Sequence, residues 1–426
     1  MKKILAAALL TMTTISGYAQ SGTNSPYSQY GLGVQSDQTS GFNRGMNGLG
    51  LGFREHNQVN YINPASYSAI DSLSFIFDVG ISGQVTNFKE GEQKVNAKNA
   101  NFEYVIAGFR ALKHLGVSFG ILPFTNIGYN YTSSNNLSST TSYTNTYSGD
   151  GGLHQVFLGS GWEPLKNLSI GANLGFVWGE INRSVVNSYT DAYVNSLSRY
   201  YTSNIRSYLL NFGAQYTLPL TKKDAVTLGV TYVLGHKFSG DANLNVISTN
   251  SQTGVADTTA FSIGKAYEIP SMYGAGIMYN HNNQLKVGFD YQMQKWSGID
   301  YPTYQVNNHV PSYVLTSGVY KNRQKFTLGG VYCYGENDRR FLRRVQYRFG
   351  ASYTTPYYYI NNQEGPKEYS VSAGLGIPIL SNNRPYLNIS GQFVHADATG
   401  LIRENSFRIN IGLTFNENWF MKWKVK

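Results

Sequence analysis

Apolar and polar residues alternate with a period of two along much of this chain. The clearest run lies near its end and has five apolar positions: Phe407, Ile409, Ile411, Leu413 and Phe415. The residues between them are polar or glycine, so a β-strand would carry the apolar side chains on one face. Taken alone, this run fits a half-buried strand of a soluble sheet as well as a strand in a bilayer.

The same alternation recurs from residue 73 onward, about fourteen times in all, and predicts an all-β fold. No later stretch of about 18 consecutive apolar residues occurs, so the sequence predicts no transmembrane helix. Aromatic and basic residues follow the last strand, which is typical of a strand that ends at a lipid interface. They are Trp419, Phe420, Lys422, Trp423 and Lys424. We therefore predict a transmembrane antiparallel β-barrel of about 14 strands.

The predicted connections between strands alternate between short and long. The short ones cover residues 113–114, 163–166, 220–224, 280–283 and 381–383. The long polar ones cover residues 88–100, 132–150, 182–204, 240–260 and 297–323. Outer-membrane barrels have short periplasmic turns and long outer loops. The pattern therefore indicates a barrel in the cell outer membrane, and an even strand number places both termini in the periplasm.

Composition supports a membrane location, because charged residues make up only 14% of the 426 residues. Soluble domains average about 25%. A barrel with one face in lipid needs less surface charge than a soluble protein of this size. The net charge of +10 is spread along the chain. It fits contact with membrane lipid and with the phosphates of lipopolysaccharide better than contact with nucleic acid.

Residues 1–19 have the features of a secretory signal peptide. Lys2 and Lys3 form a positively charged start, an apolar stretch follows, and small residues predict cleavage after Ala19. The mature chain is therefore expected to be exported. Its single cysteine, Cys333, excludes an intrachain disulfide, and we expect this residue to pack in a strand.

Residues 20–72 differ from the rest, because they are rich in glycine and asparagine and alternate poorly. A flexible linker is one interpretation. The apolar side chains of Phe42, Met46 and Leu49 are unusual for a solvated linker and favour a compact N-terminal plug, or hatch. We predict that this plug lies inside the lumen of a barrel formed by residues 73–426.

Several polar residues fall on the predicted lumen face of the strands. They include Asp78, Asp290, Gln346, Arg348 and Arg408. Charges inside a barrel usually pair with one another or with a plug. Alternatively, Arg348 or Arg408 could hold the carboxylate of a fatty acid.

No pattern in the sequence predicts catalysis. The seven histidines are scattered and none forms a close pair with metal-ligand spacing. No Gly-x-Ser-x-Gly nucleophile motif stands out. We therefore expect a protein that is not an enzyme and that uses no metal and no cofactor. The basic run at residues 339–344 lies in a predicted periplasmic turn and is interpreted as a solvated, partner-facing or lipid-facing cluster.

Three features together resemble the FadL-type (TodX) transporters of hydrophobic compounds, in a Bacteroidetes-like form. They are the glycine-rich opening that runs into Asn63-Pro64-Ala65, the run from Gly120 to Phe124, and the strand count. The resemblance implies a fourteen-stranded barrel with an N-terminal plug that passes fatty-acid-like molecules inward.

We expect Pro123, with Phe124 beside it, to be the most informative position of the third strand. Proline cannot donate to a strand ladder, so Pro123 either interrupts the strand or stands harmlessly at its end. The resemblance implies an interruption that opens a lateral exit into lipid. Asn63, Pro64 and Ala65 would then anchor the plug near this gap, unless they form a simple turn.

The leading hypothesis is passive uptake of hydrophobic small molecules by a monomeric, plugged barrel. The alternative is a non-transporting barrel that acts as a carrier or scaffold, as PorV-like proteins of the type IX secretion system imply. A transporter requires a continuous apolar channel, whereas a scaffold has a sealed lumen. Expected partners are membrane lipid, lipopolysaccharide, a hydrophobic ligand, the barrel-assembly machinery and, for the alternative, secretion-system proteins.

Overall fold

A closed barrel of fourteen antiparallel strands dominates the computed structural model. The structure describes residues 22–137, 141–379 and 385–417. The barrel strands are β1 (Phe75–Glu90), β2 (Gln93–Leu112), β3 (Leu115–Asn136), β4 (Ser142–Leu165), β5 (Leu168–Tyr189), β6 (Ser196–Pro219), β7 (Asp224–Val233), β8 (Met272–His281), β9 (Leu285–Gln294), β10 (Arg323–Tyr332), β11 (Gln346–Thr354), β12 (Lys367–Pro378), β13 (Tyr386–Asp397) and β14 (Arg403–Glu417). β14 pairs with β1, from Glu417 opposite Phe75 to Arg403 opposite Lys89, and this pairing closes the barrel. The predicted all-β fold is therefore confirmed.

The apolar face of the strands lies on the outside of the barrel. In β14, Phe407 and Ile411 are 51% and 43% exposed, whereas Asn410 and Thr414 are buried. An exposed apolar face next to a buried polar face is the reverse of a soluble sheet and is the arrangement of a strand in lipid. The two-residue period therefore predicted both the strand and the direction of its faces.

Three of the predicted long loops are wrong. Residues 88–100, 132–150 and 182–204 belong mainly to strands, since β1 and β2 are joined by a two-residue turn and β3 to β6 are 22 to 24 residues long. The strands continue beyond the apolar band as polar hairpins. Apolar alternation reports only the part of a strand that has an apolar face, so it ends before the backbone ladder does.

The other two long connections contain short hairpins of their own. Residues 240–260 contribute to a hairpin of Ala242–Thr249 and Ala256–Ile263, whose first strand also pairs with β6. The connection between β9 and β10 holds the hairpin of Tyr301–Asn307 and Val310–Thr316. Two further short ladders pair His236–Lys237 with Glu268–Ile269 and Tyr359–Ile360 with Gln363–Glu364. We call this end of the barrel the hairpin end.

The opposite end, which we call the short-turn rim, carries the connections β2–β3, β4–β5, β6–β7, β8–β9, β10–β11 and β12–β13. Most of these connections are short, as predicted. The β10–β11 connection is longer and contains a helical turn, Phe341–Arg344. Cys333 begins this connection directly after β10 and is buried, so the prediction that it lies in a strand is wrong by one residue.

Residues 22–72, which we call the N-terminal segment, pack against the inward face of the strands. The segment contains the 3-10 helices Pro26–Gln29 and Pro64–Ala69, the strand Val34–Gln35 and the helical turn Gly41–Arg44. Leu49, Leu51 and Phe53 are fully buried. The segment is therefore packed and not a solvated linker.

Some predictions fall outside the described residues: the signal peptide at residues 1–19, the turn at residues 381–383 and the aromatic collar at Trp419 to Lys424. Among the described residues, no helix is long and apolar enough to cross a membrane.

Candidate functional site

The wall of the barrel is interrupted between β2 and β3. Their pairing runs from Leu112 opposite Leu115 to Val105 opposite Ile121 and then ends. Beyond this point β2 stays paired with β1, and β3 stays paired with β4. We call the two facing edges, residues 93–104 of β2 and 122–136 of β3, the seam.

Pro123 and Phe124 lie at the end of the seam that is nearer the short-turn rim. Pro123 pairs with His154 of β4 and Thr125 pairs with Leu153, so Phe124 is an extra residue in a bulge. Proline has no N–H to donate, and a bulge bends its strand and locally disrupts its ladder. The sequence therefore located the irregularity in β3, although the pairing that is lost lies on the side of β2.

The N-terminal segment occupies the β3 edge of the seam. Val34 and Gln35 pair with Asn126 and Thr125 as a short antiparallel strand. The backbone N–H of Ser36 continues this pairing and donates to the carbonyl oxygen of Phe124 at 3.1 Å. These bonds satisfy part of the strand edge that β2 leaves free.

The same segment also reaches the β2 edge. The side chain of Asn101 donates to the carbonyl oxygen of Gly22 at 2.9 Å, and Asn24 donates to Asn99 at 3.1 Å. Arg44 forms an ion pair with Glu103 at 2.9 Å. Because its bonds reach both edges, the segment bridges the seam in place of a direct β2–β3 ladder.

Asn63 precedes the 3-10 helix Pro64–Ala69, which Pro64 and Ala65 begin. The Asn63 side chain caps this helix by accepting from the Ala65 N–H at 3.1 Å. It also donates to the carbonyl oxygens of Leu51 at 2.9 Å and Ala214 at 3.2 Å. Within the described residues, the hydrogen bonds of Asn63 go to the N-terminal segment, β6 and β7. The structure therefore does not bring this motif to Pro123 by hydrogen bonding.

Glycines on the inward strand face make room for this motif. A Cβ atom at Gly213 would lie 2.1 Å from Oδ1 of Asn63, and one at Gly161 would lie 2.4 Å from the carbonyl oxygen of Pro64. Sequence reasoning missed this role. The available signal was the recurrence of glycine at strand positions where the alternation expects a polar, inward-facing side chain.

The predicted lumen charges are engaged by protein groups. Asp290 accepts from the backbone N–H groups of Gly50 and Leu51 at 2.7 and 2.9 Å. Asp78 accepts from the hydroxyl of Tyr104 at 3.1 Å. Each carboxylate therefore has a structural partner, and Asp290 fixes the N-terminal segment directly.

The two predicted arginines are engaged as well. Arg348 donates to Asn388 at 2.7 Å and to Gln346 at 2.5 Å. Its guanidinium also lies over the ring of Phe42 in the N-terminal segment, 4.5 Å from the centroid. Arg408 donates to Asp37 at 2.7 Å. This geometry favours structural pairing over the alternative that either arginine holds a fatty-acid carboxylate.

Asp37 is the centre of a charged network that sequence reasoning missed. Burial alone would raise the pKa of Asp37, but the positive charges of Arg408, Lys325, Arg44 and Arg323 outweigh it and lower the pKa to about 2. The carboxylate therefore stays ionised at any physiological pH. It forms an ion pair with Arg408 and lies in the electrostatic field of Lys325, Arg44 and Arg323.

Two cavities of about 160 and 180 Å³ adjoin this network. Both are bordered by Asp37, Arg323 and Lys325. The first cavity is also lined by Glu368 and Arg408. The second cavity is also lined by Phe124 and is less polar. Both cavities are therefore small and have charged side chains in their walls.

A tyrosine-rich cluster packs at the hairpin end. Its buried members include Tyr27, Tyr267, Trp296, Tyr313, Tyr320, Tyr357 and Tyr358. Ring contacts connect them, with Tyr30 stacked on Tyr358 at 5.1 Å and Trp296 packed on Tyr357 at 4.7 Å. Arg183 donates to the carbonyl oxygen of Gly31 at 2.6 Å and so joins β5 to the N-terminal segment. The cluster thus connects hairpins, wall and segment.

Within the part of the chain that the structure describes, no group of three or more His, Cys, Asp or Glu residues could hold a metal ion.

The whole chain, residues 1–426, matches the model of one protein family, BamG. The chain belongs to the BamG family. No curated protein matches this BamG-family chain in sequence.

Solved structures of FadL-type barrels are similar to this BamG-family chain in fold. The CymD monoaromatic hydrocarbon channel has a TM-score of 0.61 and 16% identity, covering 88% of this chain and 97% of CymD. The Pseudomonas putida toluene transporter TodX has a TM-score of 0.60 and 16% identity, covering 91% and 100%. A Pseudomonas aeruginosa FadL homologue has a TM-score of 0.58 and 12% identity, covering 89% and 98%. At these identities the likeness establishes a FadL-like fold.

Proposed function

We propose that this protein is a non-catalytic outer-membrane barrel with a permanently filled lumen, and that it acts as a scaffold subunit of the barrel-assembly machinery. The observation that carries the proposal is the burial of the N-terminal segment together with the tyrosine-rich cluster. Side chains of the segment are buried against the inward strand face, and the cluster is buried at the hairpin end. The family name BamG supports the choice of partner. In this proposal residues 20–72 form a plug and residues 73–426 form the barrel.

The energetics of the segment support a permanent plug. To move, it would have to break the Asn63 bonds, expose the Asp290 carboxylate, and separate Asp37 from Arg408. A buried polar or charged group that loses its partner typically destabilises a protein by about 1 to 5 kcal/mol, and the segment would lose several such partners at once. A plug that moved in every transport cycle would need a compensating interaction for each of these.

The two cavities are also poorly suited to a hydrophobic ligand. An apolar cavity of about 150 Å³ is large enough for benzene, so volume alone does not exclude a small aromatic. However, an apolar ligand placed beside Asp37, Arg323 and Lys325 would desolvate charges without replacing their partners. The charged walls of these two cavities therefore support the scaffold role over uptake.

The test is depletion of this chain in its native cell, combined with purification of a tagged copy in mild detergent. We expect the central barrel of the assembly machinery to co-purify in defined proportion. We also expect other outer-membrane barrels to lose their folded, heat-modifiable forms on depletion. Normal barrel assembly together with loss of uptake of a hydrophobic compound would refute the scaffold role.

Uptake of hydrophobic small molecules is the second candidate, and the seam favours it. A break between β2 and β3 beside Pro123 provides a place where the wall can part, and FadL-like channels share this fold. Toluene and oleate uptake by cells that carry Pro123→Ala and Phe124→Ala tests this route. Reduced uptake, with the barrel still folded, would support lateral exit, whereas unchanged uptake would exclude it.

A further inference from the structure

The β10–β11 connection, residues 333–345, is the longest on the short-turn rim and carries its strongest charge cluster. Its four arginines are Arg339, Arg340, Arg343 and Arg344. Two acidic residues, Glu336 and Asp338, lie in the same connection. We call residues 333–345 the arginine turn.

We propose that the arginine turn binds the phosphate groups of anionic phospholipid in the membrane leaflet at the short-turn rim. Such a site would anchor this side of the barrel to the lipid surface. The inference rests on the membrane location of the barrel and not on either proposed activity.

The turn is a defined structure and not a loose loop. The N–H of Gly335 donates to the carbonyl oxygen of Arg343 at 3.2 Å, and the N–H of Cys333 donates to the carbonyl oxygen of Gln284 at 2.8 Å. Asp338 accepts from the N–H of Arg340 at 2.8 Å, and this bond lowers the pKa of the Asp338 carboxyl. The arginines are therefore presented on a fixed backbone.

Two of the four arginines are available to an external ligand. Arg343 pairs with Asp338 at 3.4 Å and stacks over the ring of Tyr334, 4.4 Å from its centroid. Arg339 and Arg340 are exposed and, within the described residues, form no ion pair. Guanidinium groups bind phosphate oxygens in a bidentate manner.

Apolar groups next to these arginines favour a lipid surface over an acidic protein. Phe341 and Leu342 are 46% and 68% exposed in the middle of the basic run. The hydroxyl of Tyr347 donates to the carbonyl oxygen of Leu342 at 3.2 Å. Tyr347 is an outward-facing residue of β11, so this bond holds Leu342 on the lipid side of the wall.

The surrounding rim has the composition of an interface. Outward-facing aromatic residues near it include Trp162, Tyr216, Tyr279, Tyr332, Tyr334 and Tyr347. Such a belt marks the level of lipid headgroups. Basic residues near an anionic lipid surface add electrostatic attraction, and exposed apolar side chains add burial in the acyl region.

The experiment is native mass spectrometry of the full-length mature chain in non-ionic detergent, titrated with phosphatidylglycerol or phosphatidylethanolamine. The test variant replaces Arg339, Arg340, Arg343 and Arg344 with Gln. A matched control removes four positive charges from other turns of the same rim. It replaces the exposed residues Lys113, Lys166, Lys222 and Lys223 with Gln. Heat-modifiable migration on a gel verifies that each variant is a folded barrel.

We expect the arginine variant to bind phosphatidylglycerol at least about tenfold more weakly, with phosphatidylethanolamine binding unchanged and the lysine control close to wild type. Equal binding by the arginine variant would overturn the proposal. An equal loss in the lysine control would also overturn it, because the effect would then reflect total rim charge. If the variant lost a co-purifying periplasmic protein while its lipid binding was unchanged, the ligand of the arginine turn would be an acidic protein and the lipid proposal would be wrong.

Discussion

Glycines on the inward strand face decide where the N-terminal segment can pack. A Cβ atom at Gly229 would lie 1.9 Å from the carbonyl oxygen of Leu51, and one at Gly116 would lie 1.9 Å from that of Tyr67. A backbone oxygen cannot rotate away as the end of a flexible side chain can. Each of these glycines therefore stabilises the packed position of the N-terminal segment through the space that it leaves open.

Gly229→Ala is expected to destabilise the folded protein by about 1 to 3 kcal/mol, because the added methyl group overpacks the contact with Leu51. Gly83→Ala is the matched control, since a Cβ atom there meets nothing within 4 Å. Thermal unfolding in detergent and protease cleavage of the N-terminal segment measure both effects. Equal stability of the two variants would show that the contact does not hold the segment.

A second prediction at this scale concerns Asp37. Its pKa falls from 3.8 to about 2 on folding. The ionised carboxylate therefore adds to the free energy of unfolding above about pH 4, and this contribution is lost as the pH falls through about 2. Its side chain is 31% exposed, and solvent screens its interactions with the nearby cations. We therefore expect a contribution of only about 1 to 2 kcal/mol to the free energy of unfolding. Asp37→Asn should lower the unfolding temperature at neutral pH.

The difference between Asp37→Asn and wild type should shrink as the pH is lowered from 4 toward 2. Glu92→Gln, at an exposed turn of the hairpin end, controls for a change in net charge. A difference that stays constant with pH would mean that the amide of the variant disturbs packing and that the ionised carboxylate is not the stabilising group.

At the scale of elements, the sequence predicted where strands lie but not how long they are. Alternation located all fourteen barrel strands, because each crosses lipid with an apolar outer face. It missed the parts of β1 to β6 nearest the hairpin end, which are rich in polar residues. The backbone hydrogen bonds between strands continue there, but these parts have no apolar face, so the sequence does not alternate between apolar and polar residues.

The candidate site was only partly predictable for the same kind of reason. Pro123 revealed the irregularity in β3, because proline has a local effect on its own strand. The bridging of the seam by Gly22 and Val34 depends on contacts between residues far apart in sequence. Likewise, the hydrogen-bond partners of Asn63 on β6 and β7 are set by tertiary packing.

The 3-10 helix Pro64–Ala69 offers a test of that packing. Asn63→Ala removes both the cap to Ala65 and the bonds to Leu51 and Ala214, and should cost about 1 to 3 kcal/mol. Asn63→Asp keeps the cap acceptor but places a carboxylate against two carbonyl oxygens. It should therefore be less stable than Asn63→Ala in thermal unfolding. If the Asn63→Asp variant were as stable as wild type, the assigned donor role would be contradicted.

At the scale of the whole molecule, the two proposed functions differ in whether the N-terminal segment has to move. An ideal Cβ atom at Gly22 lies 2.9 Å from Cγ of Asn126, which is close enough for a disulfide after small adjustment. Gly22→Cys and Asn126→Cys, in a Cys333→Ser background, would lock the segment to β3. A scaffold should keep its full assembly activity with this lock.

A transporter with a moving plug should lose uptake when the lock forms and regain it on reduction. The same protein with its disulfide reduced serves as the control, so folding defects do not confuse the result. Loss of assembly activity in the oxidised form alone would argue against a static scaffold.

The contacts of the N-terminal segment also bear on the order in which the protein folds. Ser25 of the segment donates to Glu404 of β14 at 2.6 Å, across 379 positions of sequence. Gly45 packs against Gly374 of β12, and Leu51 packs against Gly229 of β7. These contacts join the segment to strands that are far apart in the sequence. We therefore expect the segment to be held among the strands before β14 pairs with β1, and pulse-labelling of refolding protein would test this order.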